Sequence, residues 1–237
     1  MSKRILIIMA MAAEARPIID QLGLHELPAN PQLQSHFPRF QGEFAGKEIV
    51  ISLNGKSTEY GVDRIGTEFA ALSTQSAIVE FAPDLIINAG TCGAFSADAD
   101  IADIITSDQP VVYHDHRVPL KGFDRFAMGA YPTAYCPEYF QGIEHKPGVI
   151  TTGNSLDMPD IDRQWIMQNQ GMAKEMECAA VAATAHLYGI DFLPIKSVTD
   201  HIDIDIELDN VEQFLNNLSK ASQKLSETLI RVLTNIK

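Results

Sequence analysis

The longest apolar run in the chain, Ile5 to Ala13, spans nine residues. That is about half of what a membrane-crossing helix needs. Its opening residues, Ile5, Leu6, Ile7 and Ile8, are mostly β-branched and favour extended backbone. A strand that is apolar at every position must be covered on both faces, as in a sheet sandwiched between helices. Lys3-Arg4 before the run and Ala13-Glu14-Ala15 after it also imitate a signal peptide with its cleavage site. The buried-strand reading accounts for the β-branched residues and keeps Glu14 in the protein.

The remainder alternates in the same manner. A helix is predicted over 13–22, closed near Gly23, then a loop over 25–38 broken by prolines, then a hairpin from 40–44 and 48–53. Helical spacing of Ile65, Phe69, Leu72, Ala77 and Ile78 predicts a long helix over 58–81. Strands are expected at 85–89, within 101–112, at 148–152 and at 192–198, with an alanine-rich helix over 176–187 and an amphipathic helix over 211–233. Residues 114–141 show no clear period and read as a functional loop or an interface segment. This alternation predicts an α/β fold, a three-layer sandwich around a mixed, mostly parallel central sheet. No linker composition interrupts it, so residues 1–237 are expected to form one domain.

Charge and cysteine usage narrow the function classes. The chain has 18 Lys and Arg against 31 Asp and Glu, a net charge of −13, and its basic residues do not cluster. A phosphate backbone would be repelled, so no nucleic-acid partner is expected. Three cysteines without a C-x-x-C motif suit a reducing, cytoplasmic compartment and offer no zinc ligand set. His114-Asp115-His116 puts two imidazoles on one face of a strand, but no third ligand is evident, and neither a metal nor a cofactor is expected. Cys178 reads as a small core residue.

Ligands of open α/β sheets collect at the carboxyl ends of strands. After the first strand come Met11 and Glu14. After the strand at 85–89 comes Gly90-Thr91-Cys92-Gly93. Gly153-Asn154-Ser155-Leu156-Asp157 follows the strand at 148–152, and Thr199-Asp200 follows the last strand. Glu177 opens the alanine-rich helix. Each feature alone reads as a turn glycine or a helix-start acid; together they place carboxylates and glycine corners on one sheet edge. The glycines match neither a Walker loop nor a dinucleotide fingerprint.

These residues resemble the purine nucleoside phosphorylase/nucleosidase superfamily, and within it the 5′-methylthioadenosine nucleosidases. The similarity rests on Ala10-Met11…Glu14, Asn88–Gly93, Glu175-Met176-Glu177 and Thr199-Asp200, and it extends over nearly the whole chain. Thr152–Met158, Lys196–Asp200 and Phe214–Leu218 are similar to the plant-type branch. The resemblance implies a nucleoside phosphorylase-like fold and hydrolysis of the N-glycosidic bond of methylthioadenosine; whether S-adenosylhomocysteine is also taken depends on how open the alkylthio pocket is, and the plant-like segments point to the narrower choice. It implies that Glu14 deprotonates the attacking water and that Asp200 protonates the purine at N7. It further implies that Met11, Thr91, Leu156, Asp157, Met176, Glu177 and Lys196 bind substrate, Glu177 through the ribose hydroxyls. A homodimer is implied as well, with the partner's 113–125 segment closing the alkylthio side. Other purine nucleosidases of the futalosine type, phosphorylases and a nucleoside-binding protein without turnover are the competing readings. Lys56, Arg64 and Lys196 keep phosphorolysis open. Ala12, Ala13, Ala94 and Asn154 depart from the commoner family residues.

Overall fold

A computed structural model describes residues 2–29, 37–203 and 209–237. Part of the predicted 25–38 loop, residues 30–36, lies outside them, and so does the side chain of Phe214 in the C-terminal motif. β1 (Arg4–Met9) is buried from Ile5 onward and pairs in parallel with β4 (Lys47–Leu53) on one side and β5 (Leu85–Ala94) on the other. β4 continues outward to β3 (Arg39–Phe44), its hairpin partner, and to the short β2 (His25–Glu26). β11 (Asp191–His201) runs parallel to β5 along its length, and β6 (Ile104–Thr106) and β8 (Lys146–Pro147) follow. β10 (Gly171–Glu175) joins the far end of β5 and carries β9 (Val149–Thr152) and β7 (Val112–Tyr113). Six of these ten pairings are parallel, so the sheet is mixed and mostly parallel.

Side-chain alternation divides the core in two. Leu6, Ile8 and Ile86 face α2 (Thr67–Phe81) and α5 (Cys178–Leu187). Ile5, Ile7, Ile87, Leu193 and Ile195 face α1 (Ala12–Leu22) and α6 (Asp209–Asn235), which brings Leu225, Leu229 and Val232. Each fully buried aliphatic side chain contributes about 1.5–3 kcal/mol relative to exposure. This is the expected three-layer sandwich. Among the described residues no helix is long and apolar enough to cross a membrane.

Several boundaries differ from expectation. The helix expected over 58–81 begins only at Thr67, because Gly61 and Gly66 adopt φ of 70° and 102°, outside the right-handed helical region. β5 and β11 continue past their predicted ends, so Gly90–Gly93 and Thr199-Asp200 lie within paired strands and not at corners. β10, α3 (Phe123–Met128) and α4 (Asp160–Gln168) were not anticipated. His114 and His116 do not share a strand face. His114 is buried with Nδ1 3.2 Å from Thr151 Oγ1, while His116 stacks on Tyr113 at 3.8 Å. Cys178 is a core residue, and burial pushes its thiol and that of Cys92 upward, away from reactivity.

Candidate active site

β11 occupies one edge of β5 throughout, so β1 and β10 must share the other. β1 covers Leu85–Asn88 and β10 covers Gly93–Ala94. The two strands point their carboxyl ends at each other and leave Ala89–Cys92 without a strand partner on that edge. Residues carried just beyond β1 and β10 therefore converge over this gap.

Glu14 enters from the first turn of α1. Its Oε1 accepts the Thr91 amide at 2.8 Å and the Thr91 hydroxyl at 2.7 Å, filling the place of the missing strand. Its Oε2 accepts the Met11 amide at 3.3 Å and so closes the helix start. The carboxyl is buried, and burial raises its pKa although the Thr91 bonds and the charge of Lys196 oppose the shift. A carboxylate of raised basicity facing a cavity suits proton abstraction.

Glu177 comes from the opposite side, in the residue before α5. Its Oε1 accepts the Gly66 amide at 2.8 Å. Burial first, then the nearby charge of Glu175, pushes its pKa up to about 7. Asp200 arrives along β11. The register slips between Val198 and Asp200, a bulge that sets Asp200 opposite Gly93, and Thr199 Oγ1 donates to Asp200 Oδ1 at 2.7 Å. Asp200 is half-buried, so the apolar run before it does not enclose the carboxyl fully.

These groups line one cavity of about 180 Å³, whose wall includes Met11, Glu14, Thr91, Met176, Glu177 and Asp200, with Leu156 at its lip. Two residues expected to bind substrate are not part of this wall. Asp157 is exposed and off the wall. Lys196 is 1% exposed and paired with Glu175 at 2.8 Å, behind the wall. Sequence reasoning missed Ile65, Lys174 and Glu175, which the structure adds to the lining. Lys174 Nζ donates to the carbonyls of Ser155 and Leu156 and fixes that loop, the second at 3.0 Å. Asn154 bridges the loop to α2, accepting the Thr67 amide at 2.9 Å and donating to Thr67 Oγ1 at 2.7 Å. Among the described residues no group of three His, Cys, Asp or Glu side chains is placed to hold a metal ion.

The family model of the phosphorylase superfamily matches residues 4–234. The chain belongs to the phosphorylase superfamily. This superfamily member is 35% identical over 235 residues to the 5′-methylthioadenosine/S-adenosylhomocysteine nucleosidase of Arabidopsis thaliana, spanning 97% of this chain and 90% of the relative. It is 36% identical over 236 residues to the 5′-methylthioadenosine nucleosidase of the same plant, spanning 98% and 86%. The apo structure of Arabidopsis thaliana 5′-methylthioadenosine nucleosidase superposes with a TM-score of 0.93 at 34% identity, over 98% of this chain and 95% of that one. The futalosine hydrolase of Helicobacter pylori, at 24% identity and a TM-score of 0.80, shares the fold alone.

Proposed function

We propose that this chain is an N-glycosidic hydrolase that cleaves 5′-methylthioadenosine to adenine and 5-methylthioribose. The observation that carries the reading is the carboxylate of Glu14 standing over the gap in β5, together with full-length similarity to nucleosidases. The bond breaks through a state with cationic character on the sugar, as in other glycosyl transfers. Glu14 takes a proton from water entering the gap. Glu177, across the cavity, accepts the ribose hydroxyls and its negative charge favours the developing cation. Asp200 gives a proton to the purine N7, since adenine leaves poorly as an anion. Met11 and Met176 lie along the sugar and alkylthio side, and the backbone near Leu156 meets the base.

Phosphorolysis fits less well. A phosphate dianion needs unpaired cations. Lys196 is committed to Glu175, and Lys174, the lysine on the cavity wall, is bonded to two carbonyls. Glu14 adds repulsion where the anion would sit.

On this reading the whole chain acts as one nucleosidase domain in a reducing cytoplasm, in keeping with its three free cysteines. It works as a homodimer, which would cover Leu120, Phe123 and Phe126, exposed by 61%, 57% and 78%. S-adenosylhomocysteine is a further substrate if the alkylthio side admits a longer tail. The test is product analysis with methylthioadenosine, with and without phosphate. Adenine with free methylthioribose, indifferent to phosphate, supports the hydrolase. A sugar 1-phosphate formed only with phosphate overturns it, and no adenine in either condition points to another nucleoside or to binding without turnover.

A further inference from the structure

Glu175 has no role in the reaction just proposed, yet it is the most heavily bonded carboxylate at the site. It is the last residue of β10, and its side chain and that of Lys196 are each 1% exposed. Its Oε2 accepts the Glu177 amide at 3.0 Å, the Cys178 amide at 2.8 Å and Lys196 Nζ at 2.8 Å. Its Oε1 accepts the Cys178 amide at 3.0 Å and the hydroxyl of Thr152. That hydroxyl in turn accepts the Ala179 amide at 2.8 Å. Every group hydrogen-bonded to Glu175 is a donor, which suits a carboxylate that accepts and does not donate.

We propose that Glu175 is the positioning residue for Glu177: its buried carboxylate ties the start of α5 to β9 and β11 and so fixes where Glu177 meets the sugar. The geometry carries this. Two amides bonded to Glu175 belong to Glu177 and to the residue after it, leaving the backbone under Glu177 little freedom. From the other side the Gly66 amide, 2.8 Å from Glu177 Oε1, completes the clamp. Lys196 is then the counter-ion of Glu175. Burial alone would lower its pKa, and the carboxylates of Glu175 and Glu177 more than reverse this, so Lys196 stays charged.

The inference rests on the role given to Glu177, and its test is separable from that role. Glu175→Gln is isosteric but turns an amide donor toward donors. A displacement near 1 Å at a reacting group costs about 10²-fold, so kcat/KM for methylthioadenosine should fall by about that much. Affinity for free adenine, which lacks the sugar, should stay unchanged. Adding Lys196→Met should bring little further loss, because the two side chains act as a pair. A crystal structure of Glu175→Gln should show the Glu177 to Gly66 bond broken. If that bond persists, or if adenine affinity falls as far as turnover, Glu175 is merely structural and the proposal is overturned. If Glu175→Gln does not fold, Thr152→Val removes one donor only and should lower nucleoside turnover while sparing adenine binding; equal effects on both overturn the proposal. A wild-type protein that releases no adenine sinks the nucleosidase reading, while the crystallographic arm still decides the positioning claim.

Discussion

Gly93 sets the position of Asp200, and Gly93→Ala should disable turnover without touching a carboxylate. The two residues face each other across the β5–β11 pairing at the bulge. A Cβ on residue 93 would lie 2.8 Å from Asp200 Oδ2 and closer still to Ile202 Cγ2, where ordinary contact begins at 3.4 Å. The Ile202 methyl can swing aside. The Asp200 carboxyl, held by Thr199 Oγ1, must shift or turn away from the base. A general acid typically supplies about 10²–10⁴-fold, or about 2.7–5.4 kcal/mol of barrier. Misplacing it should therefore lower kcat by about 10²-fold. The crowding should lower stability by about 1–3 kcal/mol. The assay is release of adenine followed by its absorbance, well below the melting temperature, for wild type, Gly93→Ala, Asp200→Asn and the double variant. Both single changes act through one carboxyl, so their losses should not multiply. The reasoning is refuted if Gly93→Ala stays within about twofold of wild type, or if the double variant shows the product of the two losses.

Other consequences are as direct. Glu14→Gln should reduce turnover by about 10²–10⁴-fold while nucleoside binding, measured by calorimetry, is retained; a parallel loss of binding would contradict a role confined to water. Glu177, with its pKa raised from 4.5 to about 7, favours the folded state when protonated. That stability is fully present below pH 4.5 and is lost as pH rises through about 7, so Glu177→Gln should flatten the fall in melting temperature over this window. The same titration places the acid limb of kcat/KM near pH 7, and a flat profile there would remove Glu177 from substrate binding. Asn154→Ala leaves the first amide of α2 without its side-chain acceptor and should lower stability by about 1 kcal/mol in urea unfolding; a neutral outcome would mean that water replaces the cap.

The central strands and the two-sided burial were readable from the sequence because apolar, β-branched runs leave few alternatives. The start of α2 was not. Ile65 keeps helical spacing with Phe69, and periodicity does not register that Gly66 takes a backbone conformation no right-handed helix contains. β10 was hidden for the opposite reason. Lys174 and Glu175 look like solvated charges in the sequence, and both are buried because their partners come from β11, β9 and the 155–156 loop. Gly90–Gly93 read as a corner since glycine weakens a strand locally, whereas long-range pairing with β11 keeps the backbone extended. Positions near strand ends and the family resemblance singled out Glu14, Thr91, Glu177 and Asp200, and the fold brings all four to one cavity. Lys196 was expected near the substrate from the family resemblance alone; its pairing with Glu175 was not legible, because that partner sits on another strand, 21 residues away.

The break along one edge of β5 has a consequence for how such a protein can change. In the proposed reaction the attacking water is set by residues near the amino terminus, just beyond the end of β1, and the sugar is held by residues some 160 positions later, just beyond the end of β10. The two stretches meet only across the uncovered part of β5, and the unbroken pairing with β11 holds both to one frame. With those proposed roles, a substitution on the first stretch would change the incoming nucleophile while leaving the second stretch's hold on the sugar untouched, so a change of reaction would not have to bring a change of substrate.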